Sequence, residues 1–185
     1  MLLFAAPIAI IIFLLVLLRH EDQAPDHTAA GTVQGEAFIG HYGYVVHLPK
    51  NYMAVQEFKD KKKTRETVYF CKTGTDPTNL LDEGIFGPLG IVRLEARPNE
   101  LPPDTGLEAL ERLVTAGSRQ RGDKFTVKNL PISSLQGIQI NYEAPFPRVE
   151  AYVLGQNVLY YFMAGQDDEV YREIVLSLRD SHSEG

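Results

Sequence analysis

From Leu2 to Leu18 the chain carries no polar side chain, and Arg19 ends the run. Seventeen or so apolar residues in a helix rise about 25 Å, close to the lower limit for crossing a bilayer's hydrocarbon. Arg19 can lift its guanidinium to the headgroups and lengthen that span. Residues 1–20 therefore read as one N-terminal transmembrane helix. A cleavable export signal would carry a cation before the apolar core and small residues just after it. Here no Lys or Arg comes first, and the first small cluster, Thr28-Ala29-Ala30-Gly31, comes late. The run reads as an uncleaved anchor, and with no Cys directly after it, a lipid-modified start is ruled out. Orientation is weakly coded, because Arg19 is the only cation in the flank and by itself favours a cytoplasmic body.

Residues 21–36 are small and polar, with too little apolar surface to offset the entropy of ordering, and read as a flexible linker. Residues 37–180 suit one domain with a core of its own, and residues 181–185 read as a disordered tail. The net charge of −6 argues against nucleic acid as a partner, since such binding needs cations that release counterions. Cys71 is the only cysteine, so no internal disulfide can form.

Within the domain the clearest pattern is at the end. Arg148–Leu154 is rich in β-branched and aromatic residues, Gly155-Gln156 suits a type II′ turn, and Asn157–Ala164 is apolar on both parities. The second of these strands should be central and covered on both faces. Asp167 or Asp168 can then cap a helix in which Val170, Ile174 and Leu178 share a face. An earlier helix is signalled by Thr105 and Glu108 as a capping box before Leu107, Leu110, Leu113 and Val114, with Gly117 and Gly122 as stops. Further strands are expected at Tyr44–Leu48, Thr67–Cys71, Leu89–Ala96, Phe125–Lys128 and Leu135–Glu143. The fold class expected is α+β, an α/β/α sandwich with a central antiparallel sheet.

The stretch "GYVVHLPKNY", the middle helix and the ending "VEAYVLGQNVLYYFMAGQDDEVYREIVLSL" resemble the PsbP-like family, which includes DcrB-like bacterial envelope proteins. The resemblance runs from about Tyr42 to Arg179 and rests on residues that set a fold. It implies the same sandwich, and binding or assembly work without catalysis on the extracytoplasmic side of a membrane. It turns the expected topology outward, against the single vote of Arg19.

Candidate chemistry is sparse. Cys71 with His47 is the best thiolate and imidazole pair available to a hydrolase or transferase, yet no local signature surrounds Cys71. His41 and His47, with Asp82 or Glu83, are the best metal set, though their spacing is not that of a ligand motif. No cofactor motif is present, and the glycines at 84, 87 and 90 lack the Lys and the helix of a phosphate loop. "KDKKKTR" supplies Lys59, Lys61, Lys62, Lys63 and Arg65, which either meet anionic lipid headgroups or form a solvated hairpin loop that discourages edge pairing. The acidic balance of the chain weighs toward the loop. Leu81, Ile85 and Phe86, in a Gly- and Pro-rich segment, are either a partner patch or a loop folding its apolar residues inward. The function expected is a non-enzymatic binding or assembly module of the bacterial cell envelope, held by a single pass in the cell membrane with its body outside. The rival reading is a small-ligand or lipid carrier.

Overall fold

The computed structural model describes residues 28–34, 36–75, 90–144 and 146–180. The anchor expected over residues 1–20, Leu81, Ile85 and Phe86, and the tail 181–185 lie outside the described residues. Among the described residues no helix is long and apolar enough to cross a membrane.

Among the described residues, ten strands and two helices follow in the order β1 (Thr28–Gln34), β2 (Ala37–Ile39), β3 (Val45–His47), β4 (Tyr52–Phe58), β5 (Glu66–Lys72), β6 (Val92–Pro98), α1 (Leu107–Arg121), β7 (Lys124–Ile132), β8 (Leu135–Ala144), β9 (Arg148–Leu154), β10 (Val158–Ala164) and α2 (Glu169–Leu176). One antiparallel sheet has the order β1-β4-β5-β6-β10-β9-β8-β7, and β2 pairs with β3 in a separate hairpin. Seven of its strands form the body between β4 and β7, and β1 is added along the outer edge of β4. That strand arises in the stretch expected to be a linker.

The expected α/β/α sandwich is corrected by this architecture, which among the described residues is mostly β with two helices. The reason is one of dimensions. Eight strands about 4.8 Å apart make a sheet roughly 34 Å wide, whereas helices of 15 and 8 residues are about 22 and 12 Å long. Neither helix makes a layer. α2 shares its face of the sheet with the β2–β3 hairpin, and α1 lies on the other face against β8. β1, β2 and β4 have no counterpart among the expected strands.

The α2 face is the main core. Phe70, Leu94, Ala151, Val153, Tyr160 and Phe162 from the sheet meet Tyr171, Ile174, Val175 and Leu178 of α2 and Phe38 and Val46 of the hairpin. Tyr44 and Tyr160 pack edge to face at 5.3 Å, and Phe38 meets Phe70 at 6.1 Å. Fully buried Glu66 accepts from the His41 amide (2.9 Å) and from Gln56 Nε2 (2.5 Å), fastening the β2–β3 turn to the sheet.

Two local expectations shift by a residue or fail. The β9–β10 loop is centred on Gln156 and Asn157, because Gly155 N already donates to Val158 O. A side chain at Gly155 would strike the Asp180 carboxylate and the Tyr160 ring, so its role is close approach rather than turn geometry. The Thr105 and Glu108 capping box does not form: Gly106 is the N-cap of α1 and no side chain caps it. The other helix follows the sequence, with Asp168 accepting from Tyr171 N at 2.8 Å.

Candidate functional site

Strand alternation places every second residue on the sheet face that carries α1. On β4 these are Met53, Val55 and Glu57; on β5 Thr67, Tyr69 and Cys71; on β6 Arg93, Glu95 and Arg97; on β10 Leu159, Tyr161 and Met163; on β9 Arg148, Glu150, Tyr152 and Leu154. The ladder lines them up in rows that cross the strands. One row reads Glu57, Thr67, Glu95, Tyr161, Tyr152 and Ile138, and its neighbour reads Val55, Tyr69, Arg93, Met163, Glu150 and Ile140. α1 is applied to one side, where Leu110 is buried and Ser118 Oγ lies 3.1 Å from Tyr142 Oη. Toward the centre of the sheet the face becomes a belt of charge and tyrosine.

The belt is internally paired. Glu95 receives Arg65 and Arg93, one on each carboxylate oxygen, both at 2.9 Å. Glu150 accepts from Arg148 Nε at 2.6 Å and from Tyr152 Oη at 3.1 Å, and Tyr69 Oη donates to Glu57 at 3.0 Å. The Arg148 guanidinium also lies 3.7 Å from the Tyr142 ring centroid, and the Tyr152 and Tyr161 rings stand 4.8 Å apart. All three glutamates are buried, whereas Arg93, Arg148, Tyr152, Tyr161 and Met163 are half-buried.

Electrostatics follow from this packing. Burial of the Glu95 carboxyl works to raise its pKa, but Arg65 and then Arg93 and Arg97 outweigh it and hold the group below its ordinary value. Burial works to lower that of Arg148, and its bond to Glu150 reverses the sign. Burial, reinforced by neighbouring glutamates, pushes the Tyr69 and Tyr161 phenols far up, so they stay neutral donors. Lys59 is lowered, by partial desolvation and then by Arg93 nearby.

Of the residues singled out in the sequence, Lys59 and Arg65 border this belt. Lys61, Lys62 and Lys63 are exposed at the tip of the β4–β5 loop. Cys71 is buried on the belt face while His47 is exposed on β3, whose hairpin covers the opposite face, so the two are not brought together. Burial raises the Cys71 thiol, the reverse of what a nucleophile requires. His41 sits in the β2–β3 turn against Phe58, and His47 at the open end of that hairpin opposite Ala37. Among the described residues no group of three or more His, Cys, Asp or Glu is placed to hold a metal. An open groove of about 780 Å³ runs beside α1 and β7, lined by Glu111, Arg119, Asp123, Lys124, Phe125, Val127 and Glu143. Its polar, unenclosed walls do not suit a carried apolar ligand.

Arg93, Glu95, Arg148, Glu150, Tyr152 and Tyr161 were not anticipated as site residues. Their signal was available in "VRLEARP" and "RVEAYVL", where charged residues recur at every second position of otherwise apolar strands. Comparison with protein-family models, with curated proteins and with solved structures finds no match.

Proposed function

We propose that this protein is a non-enzymatic binding or assembly module of the bacterial cell envelope, anchored in the membrane by its apolar N-terminal run, with its body outside the cytoplasm. In this reading the domain is a divergent PsbP-like one. The observation that carries the docking role is the patch of half-buried Arg93, Arg148, Tyr152, Tyr161 and Met163 across adjacent rows of the sheet face. Arg, Tyr and Met are among the residue types enriched where proteins meet, since each offers a large contact area.

The occupant is a protein surface that carries carboxylates beside apolar side chains. Among the described residues of the belt, Lys59, Arg65, Arg93, Arg97 and Arg148 gather with Glu57, Glu95 and Glu150, so the belt is locally cationic on a chain whose net charge is −6. Such a patch steers an acidic partner and fixes its orientation.

The test is site-specific photocrosslinking from position 163 in the full-length protein in native membranes, with position 113 on α1 as the control. The expected result is one adduct of defined mass at 163, lost when Tyr152 and Arg148 are replaced by Ala and absent at 113. Equal labelling at both positions, or an adduct that survives those replacements, overturns the docking role. Recovery of the full chain in an alkaline-washed supernatant overturns the anchor.

A further inference from the structure

We propose that the Lys59–Arg65 loop rests on the anionic lipid surface of the same bilayer that holds the apolar N-terminal run. The inference depends on the anchored reading above and adds a second, electrostatic contact to it. Its basis is the register of β1. Thr28 pairs with Phe58, so β1 begins beside the end of β4, where the chain turns into the lysine loop. The apolar run ends at Leu18, leaving nine residues, 19–27, before β1. The ten Cα-to-Cα steps from Leu18 to Thr28 reach at most about 36 Å. A chain held at Leu18 therefore keeps this corner of the domain within that distance of the headgroups.

The loop is built to present its cations. The Asp60 carboxylate accepts from Thr64 N (3.0 Å), Thr64 Oγ1 (3.1 Å) and Arg65 N (2.8 Å), so the loop's own acid is committed to holding its shape. Lys63 N donates to Asp60 O, and Lys63 adopts the left-handed conformation at φ 56° with its ammonium 5.1 Å from the Phe58 ring centroid. Tyr42 Oη donates to Thr64 O at 2.8 Å, bracing the loop against the β2–β3 turn. Lys61 and Lys62 are exposed at the tip of this frame.

A surface attraction of this kind is weak alone. Each cation close to an anionic leaflet is worth about fivefold in binding, so Lys61 and Lys62 together supply up to about 25-fold. Tethering makes the encounter intramolecular, which lets so modest a gain decide the orientation of the domain. The attraction decays within about 8 Å at physiological salt, so it acts only where the loop meets the headgroups.

The experiment compares the full chain reconstituted in phosphatidylcholine vesicles with the same chain in vesicles of two parts phosphatidylcholine to one part phosphatidylglycerol. Amine acylation is read lysine by lysine by mass spectrometry. Lys50 and Lys72, at the other end of β4 and β5, are internal controls. The expected result is acylation of Lys61 and Lys62 at least fivefold slower on the anionic vesicles, reversed by high salt, with Lys50 and Lys72 unchanged. Equal rates on both vesicles, or equal slowing at Lys50 and Lys72, overturn the inference. If the chain fails to enter phosphatidylcholine vesicles, the anchored reading falls, and sedimentation with the mixed vesicles then tests the loop. Co-sedimentation lost on Lys61→Gln and Lys62→Gln supports it, and no co-sedimentation overturns it.

Discussion

Replacing Glu95 by Gln tests whether the charged belt is a structural pair as well as a surface. The carboxylate is 6% exposed and holds Arg65 and Arg93 at 2.9 Å each. Removing one partner of a fully buried ion pair costs about 3–5 kcal/mol. Here that figure is too high, because the Arg65 side chain is 38% exposed and its share falls to the range of a surface pair, at most about 1 kcal/mol. Arg93, at 16%, keeps the larger part, and the Gln amide oxygen still accepts one hydrogen bond. The expected loss is about 2 kcal/mol. With a urea slope near 2 kcal/mol per molar, the midpoint of the full-length protein in detergent falls by about 1 M. The pH dependence supplies a second check. The Glu95 pKa is held below 4.5, so its contribution is complete above that value and fades as pH falls through the folded pKa. The midpoints of wild type and Glu95→Gln therefore stay separated by a constant amount from neutral pH down to about 5, and converge below it. A difference under about 0.5 kcal/mol at neutral pH, or one that does not shrink on acidification, refutes the assignment of Glu95 as the charge that organises this face.

Three other outcomes are expected. Cys71 is buried and its thiol is raised by that burial, so in the folded protein it resists alkylation and reacts only on unfolding, as timed labelling in a urea series would show. Ile174→Ala removes a fully buried side chain between α2 and the sheet, and should destabilise by about 2–5 kcal/mol in the same denaturation assay. Asp168→Ala deletes the cap of α2 and should cost about 1 kcal/mol, whereas Thr105→Ala, whose residue caps nothing, should cost little.

The late hairpin and α2 were legible because three local signals agree there: apolar strands, a glycine at the connection and an acidic cap before an amphipathic turn. The basic run was legible as a loop from its concentrated charge before the strand expected at Thr67–Cys71, although the strand that precedes it was not. β2 is three residues long, too short for alternation to declare itself, and β4 begins at Tyr52 directly after a turn, where "YMAVQEF" reads equally as helix or strand. β1, "TAAGTVQ", is small and polar, and only its partner β4 makes it a strand. The belt was hidden differently. Its residues come from strands far apart in sequence, and a charged side chain at every second position of one strand reads as solvent-facing. Which carboxylate meets which guanidinium is decided by cross-strand register, and no single segment encodes that. The sandwich expectation failed because helix patterns can be counted in a sequence, but the width of sheet they must cover cannot.

β1 has one more consequence, a mechanical one. The strand enters the sheet at Thr28 and runs along β4 to Gln34, so a tug from the N-terminal side acts along the strand axis. Ladder hydrogen bonds lie across that axis, so they share the load together instead of parting one at a time. A domain gripped by a partner and pulled by its own leash would be held by a joint loaded in shear, and the first failure under tension would be the slip of this single outer strand, leaving the other seven in place.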